Sequence, residues 1–277
     1  MLDNNQYNGI TRTESCNVAA VRRVAAMLDL DPESIVEGEP LPRGWQFILL
    51  GADTRKSDLR RDGFPGLGVP MPDLGLPRLL LGGRTVEYFQ EIPVGTLVKR
   101  ASSIKNLTHK TGASGPMAVV TIAHELRALG ALTPAIVETQ TYLLLPAQNS
   151  ATEPSRGDSV AVTAEKIKVI VPDETLLFQY SALGFNSHKI HIDKNYARDV
   201  EGFPDLVVNG GLITLLLTEF LRKDLELTPA NFKIKHIAPL YCGRPITLAA
   251  KLDMGMCRLT AHNDRGIIAA QMEVNIQ

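Results

Sequence analysis

Phe185-Asn186-Ser187-His188-Lys189-Ile190-His191-Ile192-Asp193 is followed, after a short interval, by Val207-Val208-Asn209-Gly210-Gly211 and the run Leu212-Ile213-Thr214-Leu215-Leu216-Leu217. Apolar residues fall nearly all round the helix that this run predicts, from Gly211 to about Lys223. Such a helix is wrapped by other structure rather than laid on a surface. Its glycine start leaves backbone N–H groups without intrahelical acceptors. Just upstream stand two histidines three apart, with Asn186 five before His191 and Asp193 two after it. Groups that move a proton, set beside N–H donors that hold a developing oxyanion, equip a site for acid–base chemistry at a carbonyl. Asp193 reads as the N-cap of a helix from Lys194.

Around this centre the periodicity is that of strands. Phe232 to Ile237, Ile246 to Met254, Cys257 to His262 and Ile267 to Asn275 alternate apolar and polar residues and close the chain. Before the histidines come a strand and turn up to Pro172 and an extended segment at Leu176 to Ser181. The first half repeats the plan. Val18, Val21, Val24, Ala25 and Leu28 predict a helix over 14–28, ended at Asp31-Pro32. Trp45 to Leu50 reads as a short buried helix, and 53–83, rich in Gly, Pro and charge, as a long irregular loop of the kind kept for function. Strands follow at Thr85 to Phe89, Thr96 to Leu107, Met117 to Arg127 and Ala135 to Leu145, with a turn at Gly112-Ala113-Ser114-Gly115. Gln148 to Asp158 is polar and breaker-rich, and divides the chain into halves at 1–150 and 151–277. Ile92-Pro93-Val94-Gly95-Thr96-Leu97 parallels Ala238-Pro239-Leu240-Tyr241-Cys242-Gly243, the second glycine standing 148 positions on (243 less 95). That offset fits a duplicated module.

Composition narrows the function. The chain has 277 residues, 44% hydrophobic and 21% charged, at a formal net charge of −1. Balanced charge gives no footprint for nucleic acid or an anionic membrane, and no apolar run is long enough to span a bilayer. The N-terminus lacks the basic-then-apolar pattern of a signal peptide. Cys16, Cys242 and Cys257 are too few and too scattered for a disulfide framework, and read as reduced thiols in a cytoplasmic protein. His109, His124, His236 and His262 have no metal-ligand spacing, and no metal is expected.

The His motif and Val207-Val-Asn-Gly-Gly together resemble the signature of MaoC-like hydratases and dehydratases. The likeness is to the double-hotdog, FAS1-like dehydratase branch of the mesaconyl-C4-CoA hydratase type. Leu41-Pro42-Arg43-Gly44-Trp45, Gly82-Gly83-Arg84-Thr85-Val86-Glu87-Tyr88, Lys110-Thr111-Gly112-Ala113-Ser114-Gly115-Pro116 and Phe232 to Leu240 carry it through residues 15–275. The resemblance implies an α+β fold of two hotdogs, each an antiparallel sheet wrapped around one helix, with the chemistry mainly in the C-terminal half. It implies a hydro-lyase of fatty acid metabolism acting on a 2-enoyl or 3-hydroxyacyl thioester of CoA or carrier protein. R stereochemistry and a C5 dicarboxylic acyl group are part of that expectation, as are a homodimer and no cofactor beyond the substrate's own CoA. His191 matches the family's catalytic histidine. Asn186 stands where the wider family has Asp, His188 where it has Asn, and Asn209 where it commonly has His. On this basis Asn186 and His188 hold the water, Gly210 and Gly211 supply the oxyanion contact, and Thr214 faces the substrate. The cluster Arg55-Lys56 and Arg60-Arg61 reads as a solvated loop, with contact to CoA phosphates as the alternative. Two rivals stay open: an acyl-CoA thioesterase, and a non-catalytic acyl-thioester-binding hotdog protein. A thioesterase would need a carboxylate base near the helix start, and none lies between Val207 and Leu217.

Overall fold

Strand pairing in the computed structural model, which describes residues 9–112, 115–147, 160–253 and 255–277, shows one chain order used twice. The first half holds β1 (Ile10–Ser15), helix α1 (Val18–Met27), β2 (Arg78–Tyr88), β3 (Leu97–Gly112), β4 (Gly115–Ala128) and β5 (Ile136–Leu145). The second holds β6 (Lys166–Ile170), α2 (Glu174–Leu183), α3 (Gly210–Glu219), β7 (Pro229–His236), β8 (Ile246–Asp253), β9 (Met256–His262) and β10 (Ile268–Ile276). The ten strands among the described residues form one antiparallel sheet in the order β1-β3-β4-β5-β2-β7-β10-β9-β8-β6. Read outward from the central β2–β7 pair, each half runs second, fifth, fourth, third, first. Gly95 and Gly243 sit at matching places, ahead of β3 and β8, both in the left-handed region at φ 92° and 71°. A side chain is disfavoured there, so the repeated glycine answers a repeated turn. This is the α+β double-hotdog arrangement. The boundary read at 150/151 and the linker Gln148 to Asp158 lie outside the described residues, as do Ala113, Ser114 and Met254.

Each half wraps a helix. On α1, Val21, Val24 and Ala25 are fully buried; on α3 nearly every residue is, from Leu212 through Leu215 to Leu217. Both join one core with Trp45, Val86, Phe232 and Met272. α3 runs on into a π-helical turn at Phe220–Asp224. Trp45 Nε1 donates to Glu219 Oε1 at 2.7 Å across the two halves. The far end of the first sheet lies beyond the reach of the ten-residue α1. It is covered instead by the 64–76 segment, with Phe64 and Leu67 packed on Val120, Ile122 and Leu144.

Several elements depart from the sequence reading. Residues 14 and 15 end a strand, β1, and Asn17 caps α1 by accepting from Ala19 N and Ala20 N. The segment at Leu176 to Ser181 is helical rather than extended. Asp173 accepts from Leu176 N at 2.8 Å, and an N-cap of this kind starts a helix whose Leu177, Tyr180 and Ser181 turn inward. Trp45–Leu49 is a 3-10 turn. β2 begins at Arg78, not Thr85, because Gly82-Gly83 is a bulge within a strand and not a break: its pairing with β5 shifts between Leu81 and Gly83. No helix among the described residues is long and apolar enough to cross a membrane.

Candidate active site

The His motif is an irregular segment between α2 and α3, held by local capping and by the 60–64 loop of the first half. Asn186 Oδ1 accepts from His188 N at 3.1 Å, and Asn186 N donates to Ser181 O at 2.8 Å. Phe185, with φ 49°, makes the bend out of α2. Ser187 Oγ donates to Gly63 O, Lys189 N to Asp62 O and Lys189 Nζ to Arg61 O, at 2.6, 2.8 and 2.9 Å. The long loop is therefore the brace that fixes the histidines. Arg60 belongs to the brace rather than to solvent: its Nε bonds both carboxylate oxygens of Asp62. Asp193 accepts from Tyr196 N at 3.0 Å, the N-cap expected of it.

His191 is buried, and its Nδ1 lies 2.7 Å from Val207 O. A carbonyl oxygen can only accept, so Nδ1 carries the proton and Nε2 keeps its lone pair. Burial, with the nearby His188 second, pushes the ring down to about 3, so it is neutral across the physiological range. His188 is also buried, pushed down to about 4 by desolvation and then by Arg60, with its Nε2 3.7 Å from Asp62 Oδ2. The two rings meet edge-on, centroids 5.5 Å apart.

Both histidines line a cavity of about 270 Å3 between the two halves. That is just under the usual range for ligand pockets, about 300–1,000 Å3. Asn186, Asn209, Gly210 and Gly211 line it too, and Leu79, Leu81, Val208, Ile213 and Leu240 make much of it apolar. Gly210 and Gly211 open α3, and Asn209 makes no side-chain cap to them. Their N–H groups therefore face the cavity end of a helix whose dipole favours negative charge. A Cβ on Gly211 would collide with the Tyr180 hydroxyl and come within 3.4 Å of Arg84 Nη2, so glycine there keeps two polar groups close to the helix start. The structure thus brings five of the six expected site residues to one cavity. The sixth, Thr214, does not reach it: one turn into α3, its hydroxyl donates back to Gly210 O at 3.0 Å, which spends the group on its own helix.

Three further polar groups line the cavity to which the sequence assigned no role there. Asn209 gives Nδ2 to Ser181 Oγ and leaves its buried Oδ1 without a partner. His236 stands beside Gly210, pushed down to about 3 by burial and by Arg84, its Nε2 unpartnered. Arg84 is buried and faces Glu138.

Residues 44–242 match the family model described as "Hydroxyacyl-thioester dehydratase type 2". The chain belongs to the hydroxyacyl-thioester dehydratase type 2 family. Mesaconyl-C(4)-CoA hydratase of Chloroflexus aurantiacus is 31% identical to it over 271 residues, 96% of either chain. HtdX of Mycobacterium tuberculosis superposes with a TM-score of 0.68 over 98% of this chain and 100% of its own, at 16% identity. A MaoC-like dehydratase from Phytophthora capsici does so with 0.69 over 98% and 95%, at 14% identity. At such identities the two structures speak for the double-hotdog fold alone, whereas the family match spans both His191 and the start of α3.

Proposed function

We propose that this family member is a hydro-lyase that interconverts a 2-enoyl-CoA and water with the 3-hydroxyacyl-CoA, using no cofactor of its own. The observation that carries the reading is the tautomer of His191, whose lone pair on Nε2 belongs to a cavity that also holds the N–H groups of Gly210 and Gly211. In the dehydrating direction, Nε2 takes the C2 proton and the electron pair moves onto the thioester oxygen, held by those N–H groups. The pair then returns, C3–O breaks, and His191 gives its proton to the departing hydroxyl as water. Hydration reverses each step. His188 and the Nδ2 of Asn186 hold the water beside C3, and the R product is expected if it is delivered from that face. The free buried thiols Cys16, Cys242 and Cys257 fit a cytoplasmic enzyme. A homodimer is part of this reading, since exposed Phe178, Phe185 and Ile192 leave an apolar surface beside the His segment. The test is ultraviolet absorbance of the enoyl-thioester band over a panel including crotonyl-CoA and C5 dicarboxylic CoA thioesters. Release of free CoA with no change in that band would favour hydrolysis and sink the proposal.

Asn186 divides the labour further. Its oxygen already accepts from His188 N, and its amide hydrogens are left for a water. Asn186→Asp keeps the turn and puts an acceptor where the donor was, restoring the wider family's carboxylate, and should stay within about tenfold of wild type, the worth of one hydrogen bond. Asn186→Ala loses both turn and donor and should fall further, in kcat more than in KM. An alanine variant as fast as the parent would remove Asn186 from the mechanism.

A further inference from the structure

The hydration chemistry leaves one built feature of the cavity unused. Arg84 lies on β2 just past the shift between Leu81 and Gly83, and it is the bulge that turns the side chain inward. Only 9% of the residue is exposed. Diagonally across on β5, Glu138 is wholly buried and receives three donors: Arg84 Nη1 at 3.0 Å, Gln140 Nε2 at 2.6 Å and Gln46 Nε2 at 2.9 Å. Its charge is therefore shared over three groups on the side away from α3. The guanidinium is engaged along that edge alone, and its Nε has no partner. Nη2 points to the other side, toward Gly211 and the Tyr180 hydroxyl at the start of α3.

Holding a cation in an apolar cavity is costly, and a hydrophobic pair of the same volume would serve the fold as well. A carboxylate is the ligand that a planar guanidinium with a free edge matches best, by paired N–H···O contacts. The partial positive charge of the α3 N-terminus adds to the attraction. An acyl chain whose thioester oxygen sits at Gly210 and Gly211 has little room in so small a cavity before it meets Arg84.

We propose that Arg84, held by Glu138, is the specificity residue of the site and binds the free carboxylate that a dicarboxylic acyl group carries. This rests on the hydratase reading for the reaction, not for the binding. The test compares ligands that differ only in a methyl against a carboxylate: crotonyl-CoA against fumaryl-CoA for turnover, and butyryl-CoA against succinyl-CoA for calorimetric binding, which needs no reaction. Wild type should favour the carboxylated member of each pair by about 10²-fold, as two charge-assisted hydrogen bonds allow. The double variant Arg84→Met with Glu138→Gln removes both buried charges together and should bring each ratio to about one; Arg84→Lys should keep part of the preference. A wild-type ratio near one overturns the proposal without any variant. So does a double variant that weakens both members equally, which would place Arg84 at the thioester carbonyl or in the fold. A carboxylate preference in binding with no turnover of either enoyl-CoA would sink the hydratase reading and leave the site standing.

Discussion

His191→Ala is expected to fold and to lose about 10²–10⁴-fold in kcat, the range that one positioned acid–base group supplies. The loss should appear in kcat and kcat/KM alike, because the proton is shared with the substrate only in the transition state. His191→Gln is the sharper variant: its amide can still donate to Val207 O but has no basic nitrogen to offer the substrate. If the glutamine variant is as slow as the alanine one, the ring is a base; if it regains the wild-type rate, His191 only ties down the segment before α3. The pH profile carries a second sign. With the ring pushed down to about 3 by burial, protonation does not remove the base until well below neutrality. In the free enzyme kcat/KM should therefore stay level from about pH 8 to about pH 5 and fall only below that. A fall centred near the ordinary imidazole value of about 6.5 would contradict the dry, neutral histidine seen here. So weak a base shifts work to the other end of the reaction, since the C2 proton must be made acidic by what holds the thioester oxygen. Free N–H groups at Gly210 and Gly211 are what that demand requires.

Much of this was legible in the sequence because it is written in short-range pattern. The wrapped helix follows from apolar residues all round Leu212 to Leu217, and the duplication from Gly95 and Gly243, each forced by a turn. Errors arose where local signals compete. Gly82-Gly83 looks like a strand break and is a bulge, a distinction that depends on what β5 does opposite. Leu176 to Ser181 is apolar enough for a strand, yet the cap Asp173 and the spacing of Leu177 and Tyr180 make it a helix. Thr214 has a hydroxyl at the right height on α3, but a threonine in a helix can bond its own preceding carbonyl, and this one does. In the sequence Arg84 stands out only as part of the stretch Gly82 to Tyr88. A sign of its role does exist in the sequence: Arg84 shares the inward parity of Val86 and Tyr88, and Glu138 that of Ile136 and Gln140. Opposite charges on the core faces of two strands mark a site once those strands are known to pair, and their pairing is the long-range fact that pattern alone does not supply.

The protein is expected to be acid-labile through its buried histidines. Desolvation pushes His124, His188, His191 and His236 down, to about 4, about 4, about 3 and about 3. His124 is paired with Ser102 Oγ at 2.8 Å inside the first sheet and does not itself line the cavity. In the unfolded chain each titrates near 6.5. Between that value and the depressed one the unfolded state binds a proton that the folded state refuses, so stability falls as pH drops and is fully present only above about 6.5. Each such group contributes a slope of about 1.4 kcal/mol per pH unit, and the four together about 5 kcal/mol per unit near pH 5. Set against a total stability of about 5–15 kcal/mol, that slope should open the fold before pH 4. Urea unfolding followed by the fluorescence of Trp45, the single tryptophan, should give midpoints that are level above about pH 7 and decline steeply below pH 6.5. His124→Gln removes one titrating group that does not line the cavity, and should lower the slope near pH 5 by about 1.4 kcal/mol per unit whatever it does to stability at pH 8. Midpoints that hold steady from pH 7 to pH 5 would mean that these rings take up protons in the folded protein, and the neutral base assigned to His191 would fall with them.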